Sequence, residues 1–213
     1  MVKIILERHG QSEANLIGVF GGHTDFDLTP TGYEQAKKSG EYILENFKVD
    51  IIYSSDLKRA VSTAKFVADK LGKEIITNQN LREVFAGKWD GETFDIIEKN
   101  YSEDWKIWRN DVGNSRCTDG ESVRELAERF LKALTEIAEK NEGKTVLVTT
   151  HATPIRATQC LLKKLPLDEM KNVPWGSNAS LTVLEYNNGK WELIEASYDE
   201  HLNDLKTKLP ANV

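Results

Sequence analysis

The chain has 213 residues, 39% hydrophobic and 29% charged, a balance that is typical of a folded globular domain and excludes a disordered chain. With 28 Lys and Arg against 34 Asp and Glu, the net charge is −6 and the basic residues are scattered, which argues against nucleic acid as a partner. Cys117 and Cys160 are too few for a disulfide framework, and the N-terminus carries only a short apolar run at residues 4–6, so we expect no membrane association and a cytoplasmic location.

Strand and helix signals alternate along the chain. Thr29 is a favoured N-cap, and Pro30 suits the first position of a helix. Gly72 is a natural C-cap, and Ser122 with Glu125 matches a capping box. The predicted elements are a strand at 2–6, a helix from 30 towards 47, a strand at 51–53, helices at 56–71 and from 122 towards 143, a strand at 145–150, a helix opening around Pro154, and a hairpin of strands at 180–186 and 190–196.

This order of elements predicts an α/β fold. Strands that alternate with helices favour a three-layer α/β/α sandwich with a mostly parallel central sheet, to which the C-terminal hairpin adds antiparallel strands. We expect a single domain over residues 1–213. The segment 94–120, rich in Trp, Asn and Asp, is predicted to be an insertion that forms a lid over the edge of the sheet.

Two histidines follow predicted strands directly. His9 and His151 each fall at the carboxyl end of a strand, which is where open α/β sheets bind ligands. Arg8 precedes His9, and Arg59 lies near the start of a helix on the same side of the sheet. Two arginines and two imidazoles suit a dianionic phosphoryl group, because guanidinium forks pair with its oxygens and imidazole can attack or donate a hydrogen bond. We therefore expect no metal or other cofactor.

Five stretches resemble the motifs of the histidine phosphatase, or phosphoglycerate mutase-like, superfamily. They occur in the family's order and span nearly the whole chain from Val2 to Tyr186, which makes the resemblance much more specific than a single Arg-His-Gly triplet. The stretches are residues 8–15, 21–22 with 25–32, 53–60, 81–83 with 87–91, and 151–157.

The resemblance implies a role for each matching residue. His9 would be the nucleophile that becomes phosphorylated, and Glu83 would be the general acid for the leaving alcohol and then the base for water. Side chains of Arg8, Asn15, Arg59 and His151 would hold the transferring oxygens. The implied phosphate-binding set also includes Gly21, Gly22 and Ala152. Ala152 and Thr153 stand where many members have two glycines, so the Thr153 hydroxyl or main chain could supply oxygen contacts there, and Gln11 stands where a glutamate is common.

The residues leave several alternatives open. The acid segment, with Phe85, Trp89 and Asp90, is similar to the phosphatase branches, which favours hydrolysis over a phosphoglycerate mutase. A non-catalytic phosphate-binding protein on the same fold is a further alternative. Glu13 or Glu92 could replace Glu83 as the acid.

The partner implied by the resemblance is a small phosphorylated metabolite. The resemblance is compatible with a broad-specificity phosphatase, a phosphoglycerate or sugar-phosphate phosphatase, or an α-ribazole phosphate phosphatase. Whether the chain forms a homo-oligomer is left open. His23 and His201 have no Cys or carboxylate cluster beside them that would indicate a metal site. The aromatic residues are expected to pack in the core and under the lid. This set comprises Phe20, Phe85, Trp89, Trp105 and Trp108.

Overall fold

A six-stranded sheet forms the centre of the molecule in the computed structural model, which describes residues 1–207. The strands are β1 (Val2–Arg8), β2 (Ile51–Ser54), β3 (Ile75–Thr77), β4 (Thr145–Thr150), β5 (Leu181–Asn187) and β6 (Lys190–Tyr198). The helices are α1 (Glu13–Ile17), α2 (Pro30–Asn46), α3 (Lys58–Leu71), α4 (Phe94–Asn100), α5 (Ser102–Asn110), α6 (Val123–Lys140) and α7 (Ala152–Leu162).

The sheet is mostly parallel, as predicted. Its strand order is β3-β2-β4-β1-β5-β6, with parallel pairs from β3 to β1 and antiparallel pairs from β1 to β6. Arg8 at the end of β1 lies beside Thr150 at the end of β4. Because β5 runs antiparallel to β1, its first residue, Leu181, lies beside Glu7 at this same edge. The carboxyl ends of β1 and β4 therefore meet the loop that leads into β5.

Helices cover both faces of the sheet, which confirms the three-layer arrangement. Successive residues of a strand point to opposite faces, so Ile4 and Ile5 on β1 enter different cores. Ile4 packs in a cluster with Phe130 of α6, whereas Ile5 packs in a cluster with Ile43 of α2 and Val67 of α3. Burial of these side chains is the main force that holds the layers together.

The predicted helix caps are present. The Thr29 hydroxyl accepts a hydrogen bond from Gly32 N at 3.1 Å, and Ser122 and Glu125 form a reciprocal capping box. Gly72 ends α3 with φ of +62°, in the left-handed region that favours glycine. These local interactions explain why the limits of the long helices were close to their predicted positions.

Several limits differ from the sequence prediction. Strand β1 continues to Arg8 rather than ending at residue 6, and β6 continues to Tyr198 rather than ending at residue 196. Helix α3 begins at Lys58 rather than at residue 56, and α6 ends at Lys140 rather than near Gly143. The short elements β3 and α1 were not predicted, since three or five residues are too few to show a periodic pattern.

The segment 94–120 contains α4 and α5 and packs through aromatic side chains. Trp89 makes edge-to-face contacts with Trp105 and Trp108 at ring-centroid distances of 5.7 and 5.9 Å, and Phe20 contacts Trp108 at 5.1 Å. These four side chains are buried, which confirms the packing predicted for them. The prediction was wrong for Phe85, which is 44% exposed and lies beside the His23 ring. A lid function for the segment stays a prediction.

Candidate active site

The two predicted histidines lie side by side at the carboxyl ends of β1 and β4. The main-chain N–H of His9 donates to Thr150 O at 2.9 Å, which fixes the position of the first residue after β1. The rings of His9 and His151 are 5.1 Å apart between centroids and meet edge to face at 61°. His9 lines a pocket, whereas His151 is completely buried behind it.

Hydrogen bonding fixes the proton of the His9 ring. His9 Nδ1 donates to Gly10 O at 2.7 Å, and because a carbonyl only accepts, Nδ1 must carry the proton. The lone pair of Nε2 is thus left for a ligand. Burial, and next the positive charges of Arg59 and Arg8, hold the pKa of His9 well below its usual 6.5. The ring is therefore neutral and able to act as a nucleophile at neutral pH.

His151 is oriented by a serine at the end of β2. Its Nε2 lies 2.8 Å from Ser55 Oγ, and the main chain of Ser55 is held by a hydrogen bond to Thr149 O. Burial and the charge of Arg59 lower the pKa of His151 as well. Nδ1 of His151 is buried and has no hydrogen-bond partner within residues 1–207. It carries the ring proton when Ser55 donates to Nε2.

Arg8 and Arg59 supply the positive charge of the site. Arg59, 2% exposed in the first turn of α3, donates from Nη1 to Thr24 O at 2.8 Å and from Nη2 to Gly22 O at 2.7 Å. Arg8 donates from Nη1 to Gly176 O at 2.5 Å. Burial lowers the pKa of each arginine to about 10, although the charge of Glu83 opposes this shift. Both remain cations at neutral pH.

No carboxylate neutralises either arginine by a direct ion pair in the described part of the chain. Main-chain carbonyls orient the two guanidinium groups, but these carry no net charge. Two buried cations without a paired anion favour an anionic ligand, because a phosphoryl dianion would supply the missing charge.

The glycine pair brings the main chain against Arg59. Gly22 has φ of +42°, and a Cβ atom there would lie 1.7 Å from Asp90 Oδ1, so no other residue fits without rearrangement. Gly21 is less constrained, since its Cβ would meet no atom closer than 3.6 Å. Both glycines line the pocket.

Asn15 is held by a small polar network. Its Oδ1 accepts from Ser12 N at 3.1 Å and from Asn178 Nδ2 at 3.2 Å, so its own amide nitrogen is left as a donor. Asn178 also donates to His9 O at 3.0 Å and is fully buried. The network thus links the Asn15 amide to the main chain of His9.

Glu83 is the carboxylate that lines the pocket. Its Oε1 accepts from Val84 N at 2.9 Å and its Oε2 from Thr153 N at 3.3 Å, in the first turn of α7. The alternative acids Glu13 and Glu92 are not among the pocket-lining residues. The geometry therefore favours Glu83 over both.

The rest of the pocket wall is largely apolar. The pocket has a volume of about 120 Å³, which suits a small ligand. Ala152 and Thr153, at the N-terminus of α7, lie in the wall, so the positive end of the helix dipole adds to the charge of the arginines. The apolar lining consists of Ala14, Val19, Phe20, Phe94, Trp108 and Trp175.

Four residues of the site were not predicted from the sequence: Ser55, Trp175, Gly176 and Asn178. The signal for the last three is a polar, glycine-containing run at residues 174–180, directly before β5. A strand antiparallel to β1 begins at the edge where β1 ends, so the pairing of β5 with β1 brings this run to His9.

Residues 1–207 contain no group of three or more His, Cys, Asp or Glu side chains that could hold a metal ion. Within the same residues, no helix combines the length and the apolar character needed to cross a membrane.

Comparison with known proteins identifies the family. The model of the histidine phosphatase superfamily (branch 1) matches residues 4–199, so the chain belongs to this family. Phosphoserine phosphatase 1 of Hydrogenobacter thermophilus is 32% identical over 206 residues, which cover 96% of each chain. A bisphosphoglycerate-dependent phosphoglycerate mutase of Treponema denticola is 31% identical and covers 82% of this chain and 84% of its own.

Among solved structures, Bacillus stearothermophilus YhfR superposes with a TM-score of 0.91 at 27% identity, and the match covers 95% of this chain and all of the other. The fold predicted from the sequence is thereby confirmed. Together with the family match, these relatives identify the chain as a phosphatase that acts on small phosphorylated metabolites.

Proposed function

We propose that this chain hydrolyses phosphomonoesters by transferring the phosphoryl group first to His9 Nε2 and then to water. The observation that carries the proposal is the state of His9. Its ring is neutral, its Nδ1 proton is held by Gly10 O, and its free Nε2 stands beside two buried cations, Arg8 and Arg59.

In the first step, the phosphoryl dianion lies against Arg8 and Arg59, with the His151 Nδ1–H and the Asn15 amide as further donors. The lone pair of His9 Nε2 attacks phosphorus, the P–N bond forms, and the P–O bond to the alcohol breaks. A proton from the Glu83 carboxyl neutralises the departing oxygen. Fixed donors stabilise the charge on the equatorial oxygens, which is the main requirement of phosphoryl transfer.

In the second step, water replaces the alcohol. The Glu83 carboxylate takes a proton from this water as its oxygen attacks phosphorus, the P–N bond breaks, and inorganic phosphate leaves. His9 regains its lone pair and Glu83 its proton, so both groups return to their starting state.

A phosphoglycerate mutase would share the first step but return the phosphoryl group to a second hydroxyl of the substrate. One relative, in Treponema denticola, is named as such a mutase. A mutase needs a bisphosphoglycerate primer and forms an isomerised product, so the two activities are distinguished by whether inorganic phosphate is released. A binding protein without turnover would release none.

The test is phosphate release from a panel of phosphomonoesters, without added metal or primer, together with rapid-quench detection of phosphohistidine. The native chain should release phosphate and form an acid-labile phosphoprotein, and His9→Ala should do neither. Glu45→Ala is the control, since Glu45 is exposed on α2 and does not line the pocket. Undiminished turnover by His9→Ala, or isomerisation without net hydrolysis by the native chain, would overturn the proposal.

A further inference from the structure

The pocket beside His9 has a charged part and an apolar part. Arg8, Arg59 and Glu83 form the charged part with His9. Under the proposed function the phosphoryl group occupies this part, so the leaving alcohol must lie against the remaining wall. The largest side chains of that wall are aromatic, and we call Phe20, Phe94, Trp108 and Trp175 the aromatic wall.

The aromatic wall presents no cation inside the pocket to a second anionic group, because Arg156, which stacks on the Trp175 ring at 4.3 Å, donates to main-chain carbonyls and does not line the pocket. Among the pocket-lining residues in the described part of the chain, Arg8 and Arg59 are the only Lys or Arg, and both are used by the phosphoryl group. Arg59 has both Nη atoms engaged with main-chain carbonyls. A carboxylate on the leaving group would therefore lie against this wall without a cationic partner.

The indole N–H groups of the wall are buried and not exposed to the pocket. Trp108 is 3% exposed, and Nε1 of Trp108 and Nε1 of Trp175 are both buried without a hydrogen-bond partner within residues 1–207. The leaving group therefore meets the carbon atoms of these rings, which suit an uncharged or apolar group.

We propose, on the basis of the hydrolytic function above, that the pocket selects phosphomonoesters whose leaving alcohol is uncharged over those whose leaving alcohol carries a carboxylate. The aromatic wall is the specificity-determining part, because it binds the alcohol without supplying a counter-charge. This selection separates the chain from enzymes that act on phosphorylated hydroxy or amino acids.

The test compares two matched pairs of substrates with the native chain. Glycerol 3-phosphate and 3-phosphoglycerate differ in a hydroxymethyl group against a carboxylate. Benzyl phosphate and its para-carboxylate derivative differ far from the reacting oxygen, so their intrinsic reactivities are similar. In both pairs kcat/KM should be at least about tenfold higher for the member without the carboxylate, which corresponds to roughly 1.4 kcal/mol.

A test that introduces a positive charge uses Phe94, a half-buried residue of the wall at the start of α4. Phe94→Lys adds a cation to the wall, and Phe94→Met is the matched control of similar length without charge. The lysine variant should shift the ratio of kcat/KM towards the carboxylate-bearing member of each pair by about tenfold relative to the methionine variant.

Equal or better hydrolysis of the carboxylate-bearing members by the native chain would overturn the selectivity but leave the proposed function intact. Loss of phosphate release from all four substrates would instead overturn the proposed function and the selectivity with it. A ratio that does not differ between the lysine and methionine variants would contradict the role of the aromatic wall.

Discussion

Replacing Glu7 with Gln is expected to remove a large part of the dependence of stability on pH. Glu7 precedes Arg8 on β1 and is fully buried, where its carboxyl oxygens accept hydrogen bonds from the hydroxyls of Ser39 and Thr149. Burial raises the pKa of Glu7 from 4.5 to about 7, although the two hydroxyls oppose the shift. The folded chain therefore holds a proton that the unfolded chain releases above about pH 4.5.

The two pKa values set the magnitude. They differ by 7 − 4.5, or roughly 2.5 pH units, and each unit corresponds to about 1.36 kcal/mol, so the effect is about 3 kcal/mol. The stabilising contribution of this proton is complete below about pH 4.5, declines as the pH rises, and is lost above about pH 7. Gln carries no charge, so Glu7→Gln should gain about 3 kcal/mol relative to the native chain between pH 4.5 and 8.

Urea unfolding at a series of pH values measures this change directly as the difference in the free energy of unfolding between variant and native chain. Other titrating groups, including His9 and His151 with their lowered pKa, affect both proteins equally and cancel in the difference. Glu45→Gln, on the exposed side of α2, is the matched control and should follow the native curve. A difference between Glu7→Gln and the native chain that stays constant with pH would refute the reasoning.

Three further predictions concern the site. Ser55→Ala removes the partner of His151 Nε2 and should lower kcat/KM about tenfold in a protein with unchanged circular dichroism; unchanged kinetics would contradict the orienting role. Arg156→Met leaves the main-chain carbonyls of residues 171 and 173 without a donor and removes a cation from the Trp175 ring, so urea unfolding should show a loss of about 2 kcal/mol. Because the pKa of His9 is well below 6.5, kcat/KM should show no loss from protonation of this ring near pH 6.5. An inflection of kcat/KM near pH 6.5 that is absent from the binding of inorganic phosphate would contradict the lowered pKa of His9.

The long elements could be predicted from the sequence because their signals are local. Thr29 and Ser122 cap their helices through hydrogen bonds to residues three positions later. The β-branched and aliphatic run 145–150 favours a strand by its composition alone. The order of elements then predicts the parallel sheet. In such a sheet the carboxyl ends of β1 and β4 lie at one edge, which brings His9 and His151 together. Fold class and the histidine pair thus follow from short-range patterns.

Other parts of the site depend on long-range contacts that no local pattern encodes. Ser55 reaches His151 only because β2 pairs with β4, and Asn178 reaches His9 across 169 positions of the chain. Aromatic residues present a similar difficulty. Phe85 and Trp89 lie four residues apart, yet the first is 44% exposed and the second is fully buried, since only the second faces α5.

The antiparallel hairpin contributes to the candidate site and is not only an extension of the sheet. The loop before β5 contacts the proposed nucleophile through Ala179 N, which donates to the carbonyls of Arg8 and His9, and its Gly176 O accepts from the Arg8 side chain. A parallel strand in this place would begin at the opposite edge of the sheet, so the loop before it could not supply these contacts. The direction of β5 therefore explains how one short loop both contacts the main chain at His9 and places Trp175 in the pocket wall.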